Sequence, residues 1–222
     1  MYKNEMMVIE EFCEKFKITN FVINDGSIDV NGNVDISNNN FFELFVIFNV
    51  VTGSFDCSNN KLTTLAGMPK QVEGHFNCKS NYLTSLFDAP LKVGLDFNCS
   101  DNGLKNLYFS PIVVGWHFIC SGNSLTSLDG LPDGLTCDLN CSNNFLISLM
   151  GCPKLLKLLD CSNNQLMSLV GCPDEIWGHL NFANNPLKKI DITLPIEPDY
   201  IICDPSILRV YIRCAAISNI LL

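Results

Sequence analysis

The sequence predicts a β-rich repeat solenoid in which short strands stack into one parallel sheet. Three observations predict it: a cysteine spacing, an apolar alternation locked to that spacing, and an asparagine column locked to both. Seven of the twelve Cys stand at 57, 78, 99, 120, 141, 161 and 203, at intervals of 21, with one of 20 and a last of 42. The midpoint of the last gap is Phe182, flanked by Leu180, Asn184, Asn185 and Leu187 as Cys57 is flanked by Phe55, Asn59, Asn60 and Leu62. One period before Cys57 stands Ile36, so the frame runs from Ile36 to Cys203 in nine copies.

Each copy reads apolar-x-Cys-Ser-Asn-Asn-x-Leu-x-x-Leu, as in Phe55 to Leu65 and Leu159 to Leu169. The period-two alternation at Phe55 and Cys57, followed by Leu62 and Leu65, marks a short strand that leads into a turn. Two residues before the Cys slot come Val34, Phe55, Phe76, Phe97, Phe118, Leu139, Leu159, Leu180 and Ile201; five after it comes Phe41 and then Leu in every copy from Leu62 to Leu208. A 21-residue period with this pattern falls in the leucine-rich-repeat range, where each repeat adds one strand and cannot bury its apolar edge alone. The expected fold is a leucine-rich-repeat solenoid of the α/β horseshoe class, β-rich, with about nine short strands in a single concave parallel sheet. At a strand spacing of about 4.8 Å, nine strands make a rod on the order of 40 Å long.

Three residues after the Cys slot lies Asn39, Asn60, Asn81, Asn102, Asn123, Asn144, Asn164 and Asn185, with Ser206 ending the series. An inward amide must find partners for its donors and its acceptor, and the backbone of neighbouring repeats supplies them. This column is therefore read as a structural ladder rather than a polar binding strip. On the convex side Pro69, Pro90, Pro111, Pro132, Pro153 and Pro173 recur twelve residues after the slot. Proline pushes the preceding residue out of the helical region, so the return path is expected to be extended or polyproline-like.

The unit from Phe55 through Cys57-Ser58-Asn59-Asn60 to Gly67-Met68-Pro69 resembles the short leucine-rich repeats of bacteriophage, giant-virus and bacterial proteins, over about residues 27 to 205. It is also similar to the proline-containing repeats of leucine-rich effectors from enteric pathogens. The stretch from Asn24 to Gly32 resembles the lead-in of the viral members. The resemblance implies a protein-binding scaffold. Effectors that are ubiquitin ligases carry a separate catalytic domain with a nucleophilic Cys, and with only a short stretch following Cys203 no such domain is expected here.

Solenoid ends expose core and sheet edge, so atypical termini are expected. Residues 1–26 are read as an N-terminal helical cap and lead-in, 27–205 as the solenoid and 206–222 as a C-terminal cap. Met6, Ile9, Cys13 and Phe16 share one helical face in the first. That helix is expected to cover Phe45 to Phe48, which depart from the repeat pattern. In the last segment Asp204 and Pro205 resemble a helix start, yet Leu208 and Tyr211 equally keep the repeat's Leu spacing.

Composition narrows the function classes. With 23 acidic against 14 basic side chains and a net charge of -9, the chain lacks the cationic stripe a nucleic-acid binder needs. No apolar run approaches the roughly 18 residues of a membrane span, and Glu5, Glu10, Glu11 and Glu14 stand where a signal peptide would be apolar. Neither nucleic acid nor membrane is an expected partner, and a reducing cytoplasm, that of a host or a virion if viral, is the expected setting. The Cys column is explained by one small interior slot, since sulfurs along a straight line cannot surround zinc tetrahedrally. Cys152 and Cys172 occupy equivalent slots of adjacent repeats, within reach of a disulfide, but their column also holds Met68 and Leu131 and reads as core.

All three His fall three residues before the Cys slot, in an outward column that contains His75, Asp96, His117, Asp138, Leu158 and His179. Adjacent strands bring such side chains within ion-pair reach. With Ile119 as an apolar anchor, beside Trp116 and Leu158, these residues are the candidate partner-binding set. Expected is a non-enzymatic protein-interaction module without cofactor or metal, presenting a polar, acidic concave face to a protein partner. One alternative is a structural or self-assembling component, virion-associated, that uses a convex aromatic patch of Phe87, Tyr108 and Phe109 or the C-terminal tail. Another is a metal-binding or hydrolytic site on the His and Asp column, although no nucleophile elbow, phosphate loop or HExxH motif accompanies it.

Overall fold

The computed structural model describes residues 2–132, 134–187 and 200–204. A nine-stranded sheet runs through Val34–Asp35, Phe55–Asp56, Phe76–Asn77, Phe97–Asn98, His117–Ile119, Asp138–Asn140, Leu159–Asp160, His179–Asn181 and Tyr200–Ile202. Every pairing in it is parallel and joins equivalent positions of successive repeats, Phe55 with Phe76 and Phe76 with Phe97. The chain is thus a β-solenoid. Inside it, the rings of Phe55, Phe76 and Phe97 stack at centroid distances of 5.8 Å, and Phe118 continues the stack with a tilted ring. These rings, the Cys column from Cys57 to Cys161 and the paired Leu columns from Leu62 to Leu166 are fully buried. Nearly all apolar burial is between neighbours in the stack, which is why one repeat alone has no fold.

The return path is extended, as its prolines require, but it is a second parallel ladder rather than polyproline-like. Ser27–Val30, Ile47–Val51, Gln71–Val72, Lys92–Val93 and Val113–Val114 pair in order. The cause is a column fifteen residues after the Cys slot, Val30, Val51, Val72, Val93, Val114, Leu135, Leu156 and Ile176. Most of these side chains are buried, and β-branched residues there favour pleated pairing. The ladder breaks at Leu135, whose N–H turns back to Pro132 O at 3.1 Å beside Gly134, and it resumes as a separate pair, Leu155–Leu156 with Glu175–Ile176.

Two turns in each repeat use left-handed backbone. Two residues after the slot, Asn38, Asn59, Ser80, Asp101, Gly122, Asn143, Asn163 and Asn184 have φ between 53° and 66°. Asn and Asp tolerate this region because their short polar side chains bond locally, so the first Asn of each Asn-Asn pair serves the turn and the second serves the ladder. Ten residues after the slot, Gly67, Asp88, Phe109, Gly130, Gly151 and Gly171 are also left-handed.

At the N-terminus the helix Tyr2–Lys15 buries Ile9, Phe12 and Cys13, while Met6 stays exposed. The Phe12 ring lies edge-on to Phe45 at 5.5 Å and to Phe48 at 6.2 Å. The helix covers Val46 and Phe48, as expected, and leaves one face of Phe45 and Ile47 to solvent. It closes with Lys17 at φ 56° and Ile18 N–H donating to Cys13 O at 2.8 Å. An antiparallel hairpin of Phe21–Asn24 and Ser27–Val30 follows, turning at Asp25 and Gly26, both with positive φ. Its second strand joins the return-path ladder and so covers that sheet's first edge. The expected C-terminal cap, residues 206–222, lies outside the described residues. No helix among the described residues is long and apolar enough to cross a membrane.

Candidate functional site

The outer face of the nine-stranded sheet is built from the strand positions that alternate with the buried Phe and Cys. At three positions three residues before the slot the strand N–H donates to a side chain of the preceding repeat, whereas the Asp138 N–H donates to Trp116 O at 3.1 Å. Asn33 Oδ1 accepts from Ser54 N–H at 2.8 Å, Ser54 Oγ from His75 N–H at 3.0 Å and Asp96 Oδ1 from His117 N–H at 3.1 Å. Asx and Ser side chains in this column therefore brace the backbone of the next strand.

Four of the candidate residues form one linked row. His75 Nδ1 lies 2.9 Å from Asp96 Oδ2, His117 Nδ1 lies 3.0 Å from Asp96 Oδ1, and His117 Nε2 lies 3.1 Å from Asp138 Oδ2. Asp96 N–H also points at His75 Nδ1 from 3.4 Å. That nitrogen cannot both accept there and donate to the carboxylate, and the shorter contact is the stronger one. His117 has a carboxylate oxygen at each ring nitrogen, so only the doubly protonated ring donates to both. The imidazoles are about twice as exposed as the carboxylates, 45% for the His117 side chain against 20% for Asp138. The carboxylates lie against the sheet and the rings stand above it. Asp138 Oδ1 is covered and has no hydrogen-bond partner among the described residues.

His179 belongs to the column but not to this row. It sits two strands beyond Asp138, with Leu158 between them, because the strand order places Leu159–Asp160 between the two. The repeat from Cys141 to Cys161 is the one that is a residue short. Ile119 is half-buried and helps to line a shallow depression of about 320 Å³ together with Asp56, His75, Asn77, Asp96 and Asn98. Trp116 is exposed and stands edge-on to His75 at 6.4 Å, so it belongs to the face and is not folded into the turn.

The adjoining outward column is chiefly turn chemistry, a role that sequence reasoning missed. Asp56, Asn98, Asn140 and Asp160 each accept the N–H of the Ser two residues on, at 2.8 to 3.1 Å, and so support the left-handed residue that follows. The signal was present as the recurring Asx-Cys-Ser triplet. The ladder behaves as expected: Asn144 Nδ2 donates to Cys120 O, Cys141 O and Ser142 O, and its Oδ1 accepts from Leu125 N–H at 3.0 Å. Asn60, Asn81, Asn102, Asn123, Asn164 and Asn185 repeat the pattern. Asn39 bonds to its own turn through Ser37 O, while its N–H donates to Asn60 Oδ1.

None of the described cysteines is poised as a nucleophile. All eleven described are free thiols, including Cys152 and Cys172, which pack against the core. The Sγ atoms of Cys57, Cys78, Cys99 and Cys161 each donate to a carbonyl of the next strand at 3.4 Å. Burial pushes the whole column up from an ordinary thiol value of 9.0, Cys120 to about 12, and a protonated buried thiol is inert. Among the described residues no three His, Cys, Asp or Glu converge on a point that would hold a metal ion. Phe87, Tyr108 and Phe109 are exposed. Comparison of the chain with protein-family models, with curated proteins and with solved structures finds no match.

Proposed function

We propose that the chain is a leucine-rich-repeat solenoid of the short phage, giant-virus and bacterial type, working as a non-enzymatic protein-interaction module in a reducing cytoplasm. Its concave face receives a basic segment of a protein partner. The observation that carries this reading is the braced row of His75, Asp96, His117 and Asp138 beside the depression at Ile119. Side chains held by their neighbours lose little entropy on binding. An acidic, amide-rich surface with Trp116 exposed at its border supplies charge complementarity and a ring face for a cation.

The test is fluorescence anisotropy with labelled Lys- and Arg-containing peptides at 50 and 200 mM salt, using wild type and an Asp96→Asn, Asp138→Asn double variant. The expected result is binding that weakens with salt and drops at least tenfold in the double variant. Acidic peptides binding as well as basic ones, or the double variant binding undiminished, refutes the reading.

A further inference from the structure

Resting on the reading of this face as the surface for a basic segment, we propose that one arginine of the segment docks between Asp96 and Asp138. Its guanidinium takes the place of the His117 imidazolium there, so that binding expels a proton and is favoured as the pH rises.

His117 is the ring of the row that is clamped from both sides, by Asp96 Oδ1 at 3.0 Å from Nδ1 and by Asp138 Oδ2 at 3.1 Å from Nε2. A neutral imidazole has one donor and one acceptor. Either neutral tautomer therefore turns a lone pair on a carboxylate oxygen, and the two carboxylates share one ring donor in place of two. Histidine is the side chain that ordinarily changes charge between pH 5 and 8, and this ring, nearly half exposed, has room to swing into solvent.

The two carboxylates differ in what they keep when the ring leaves. Asp96 retains the His117 N–H at 3.1 Å and the His75 ring at 2.9 Å. Asp138 Oδ1 is covered and has no partner among the described residues, and Oδ2 is the atom that meets His117. Asn33, Ser54 and Asp96 each brace the following strand, whereas after Asp138 the column continues with Leu158 across the repeat that is one residue short. Asp138 is thus spared for a cation, and a largely covered carboxylate without a donor is costly.

The other charges leave this exchange intact. Facing His75 from the flanking strands are Asp56, which lines the same depression, and Asp96; facing His117 are Asp96 and Asp138. Lys79, beyond the end of the strand Phe76–Asn77, is paired with Asp101 at 3.3 Å. Cys137, beside Asp138, has its thiol pushed up to about 11 by burial and stays neutral throughout. The row of two rings and two carboxylates is therefore neutral with both rings protonated and doubly negative with both neutral.

The cation that fits is a guanidinium. It is planar, always charged and presents several N–H donors in a fixed fork, so it reproduces the two-sided donation of an imidazolium, which a point-like ammonium does not. The exposed Trp116 ring lies 6.5 Å from the His117 ring, which places an indole beside the incoming guanidinium. Because proton and arginine compete for the same pair of carboxylates, each weakens the binding of the other by the same factor.

The test uses two blocked peptides that carry either Arg or Lys at the same positions and no other ionisable group, with anisotropy read at pH 5.5 and 8.0 in 50 mM salt. For wild type the Arg peptide should bind at least tenfold more tightly at pH 8.0 than at 5.5, and at pH 8.0 at least threefold more tightly than the Lys peptide. His117→Gln should bind tightly at both pH values, changing less than threefold, while His75→Gln keeps most of the wild-type dependence. Calorimetry of wild type in two buffers of different ionisation heat, at the pH where affinity changes most, should show net proton release on binding; this readout stands even if a variant misfolds. Binding that is equal at the two pH values, a pH effect undiminished in His117→Gln, a Lys peptide that binds as tightly as the Arg peptide, or no proton release each overturns the exchange and leaves the basic-segment reading standing. Absence of binding by either peptide at every pH overturns both.

Discussion

Raising the pH above 9 should unfold the solenoid through its cysteine column. Cys57, Cys78, Cys99, Cys120, Cys141 and Cys161 are fully buried. Burial raises each thiol above the ordinary value of 9.0, to about 12 for Cys120 and in the same direction for the others. Because the folded values are raised, the unfolded chain is the first to release these protons as the pH climbs. The contribution to stability is intact below about pH 9 and is lost progressively toward the folded values. Each thiol then costs the fold about 0.4 kcal/mol at pH 9 and about 1.4 kcal/mol at pH 10, so six cost about 8 kcal/mol at pH 10. That is of the order of a whole domain's stability. The assay is urea unfolding followed by circular dichroism at pH 7.5, 9 and 10 in the presence of reductant. Wild type should lose most of its stability over that range. A variant with Cys57, Cys78 and Cys99 replaced by Ala should lose about 4 kcal/mol less, whatever its starting stability. Equal losses in both proteins, or thiolate absorbance near 240 nm from the folded protein at pH 9.5, would refute the reasoning.

Three substitutions probe the elements that hold the stack. Asn144→Leu orphans the Leu125 N–H and removes one of two amide donors from the carbonyls of Cys120 and Cys141, which keep Asn123 and Asn164; with an orphaned buried group costing about 1–3 kcal/mol, urea unfolding should show a loss in that range. A loss below 1 kcal/mol would mean the ladder is dispensable. Gly130→Ala places a Cβ 2.3 Å from the Leu107 carbonyl carbon at φ 97°, so the melting temperature should fall by several degrees, whereas Gly134→Ala, with open space around it, should leave it nearly unchanged. Phe76→Ala removes the middle ring of the stacked phenylalanines and should cost about 3–5 kcal/mol in the same urea assay; an unchanged midpoint would show that the stack relaxes around the gap.

Much of this architecture was legible because a fixed period turns sequence spacing into spatial adjacency. The Phe, Cys, Leu and Asn columns could be laid side by side without knowing any coordinates, and so could the alternation of His75, Asp96, His117 and Asp138. What escaped was set by backbone hydrogen bonding rather than by side-chain burial. Val51, Val72, Val93 and Val114 recur at 21 residues as faithfully as the cysteines, yet the prolines beside them spoke for an unpaired return path, and only the pairing of Val72 with Val93 shows a sheet. The turn role of the outward Asp and Asn column stayed hidden because an Asx side chain that braces its own turn has the same composition as one facing a ligand. Trp116 sits at a corner, where a repeat period carries no information about direction. His179 followed the column in sequence, but the intervening Leu158 removed it from the ionic row.

The interrupted return path has a mechanical consequence. Between Val113–Val114 and Leu155–Leu156 the return-path ladder is interrupted, since Leu135 spends its N–H within its own turn, and the repeats are joined by the nine-stranded sheet, the asparagine ladder and turn bonds such as Phe145 N–H to Leu125 O. Coupling between neighbours is weaker there than where both ladders run, and in a chain whose cooperativity is nearest-neighbour a weak junction is where unfolding divides. Amide exchange under mild denaturant should therefore separate two blocks, the repeats before Pro132 and those after it. Pulled from its ends, the molecule should yield in two events rather than one.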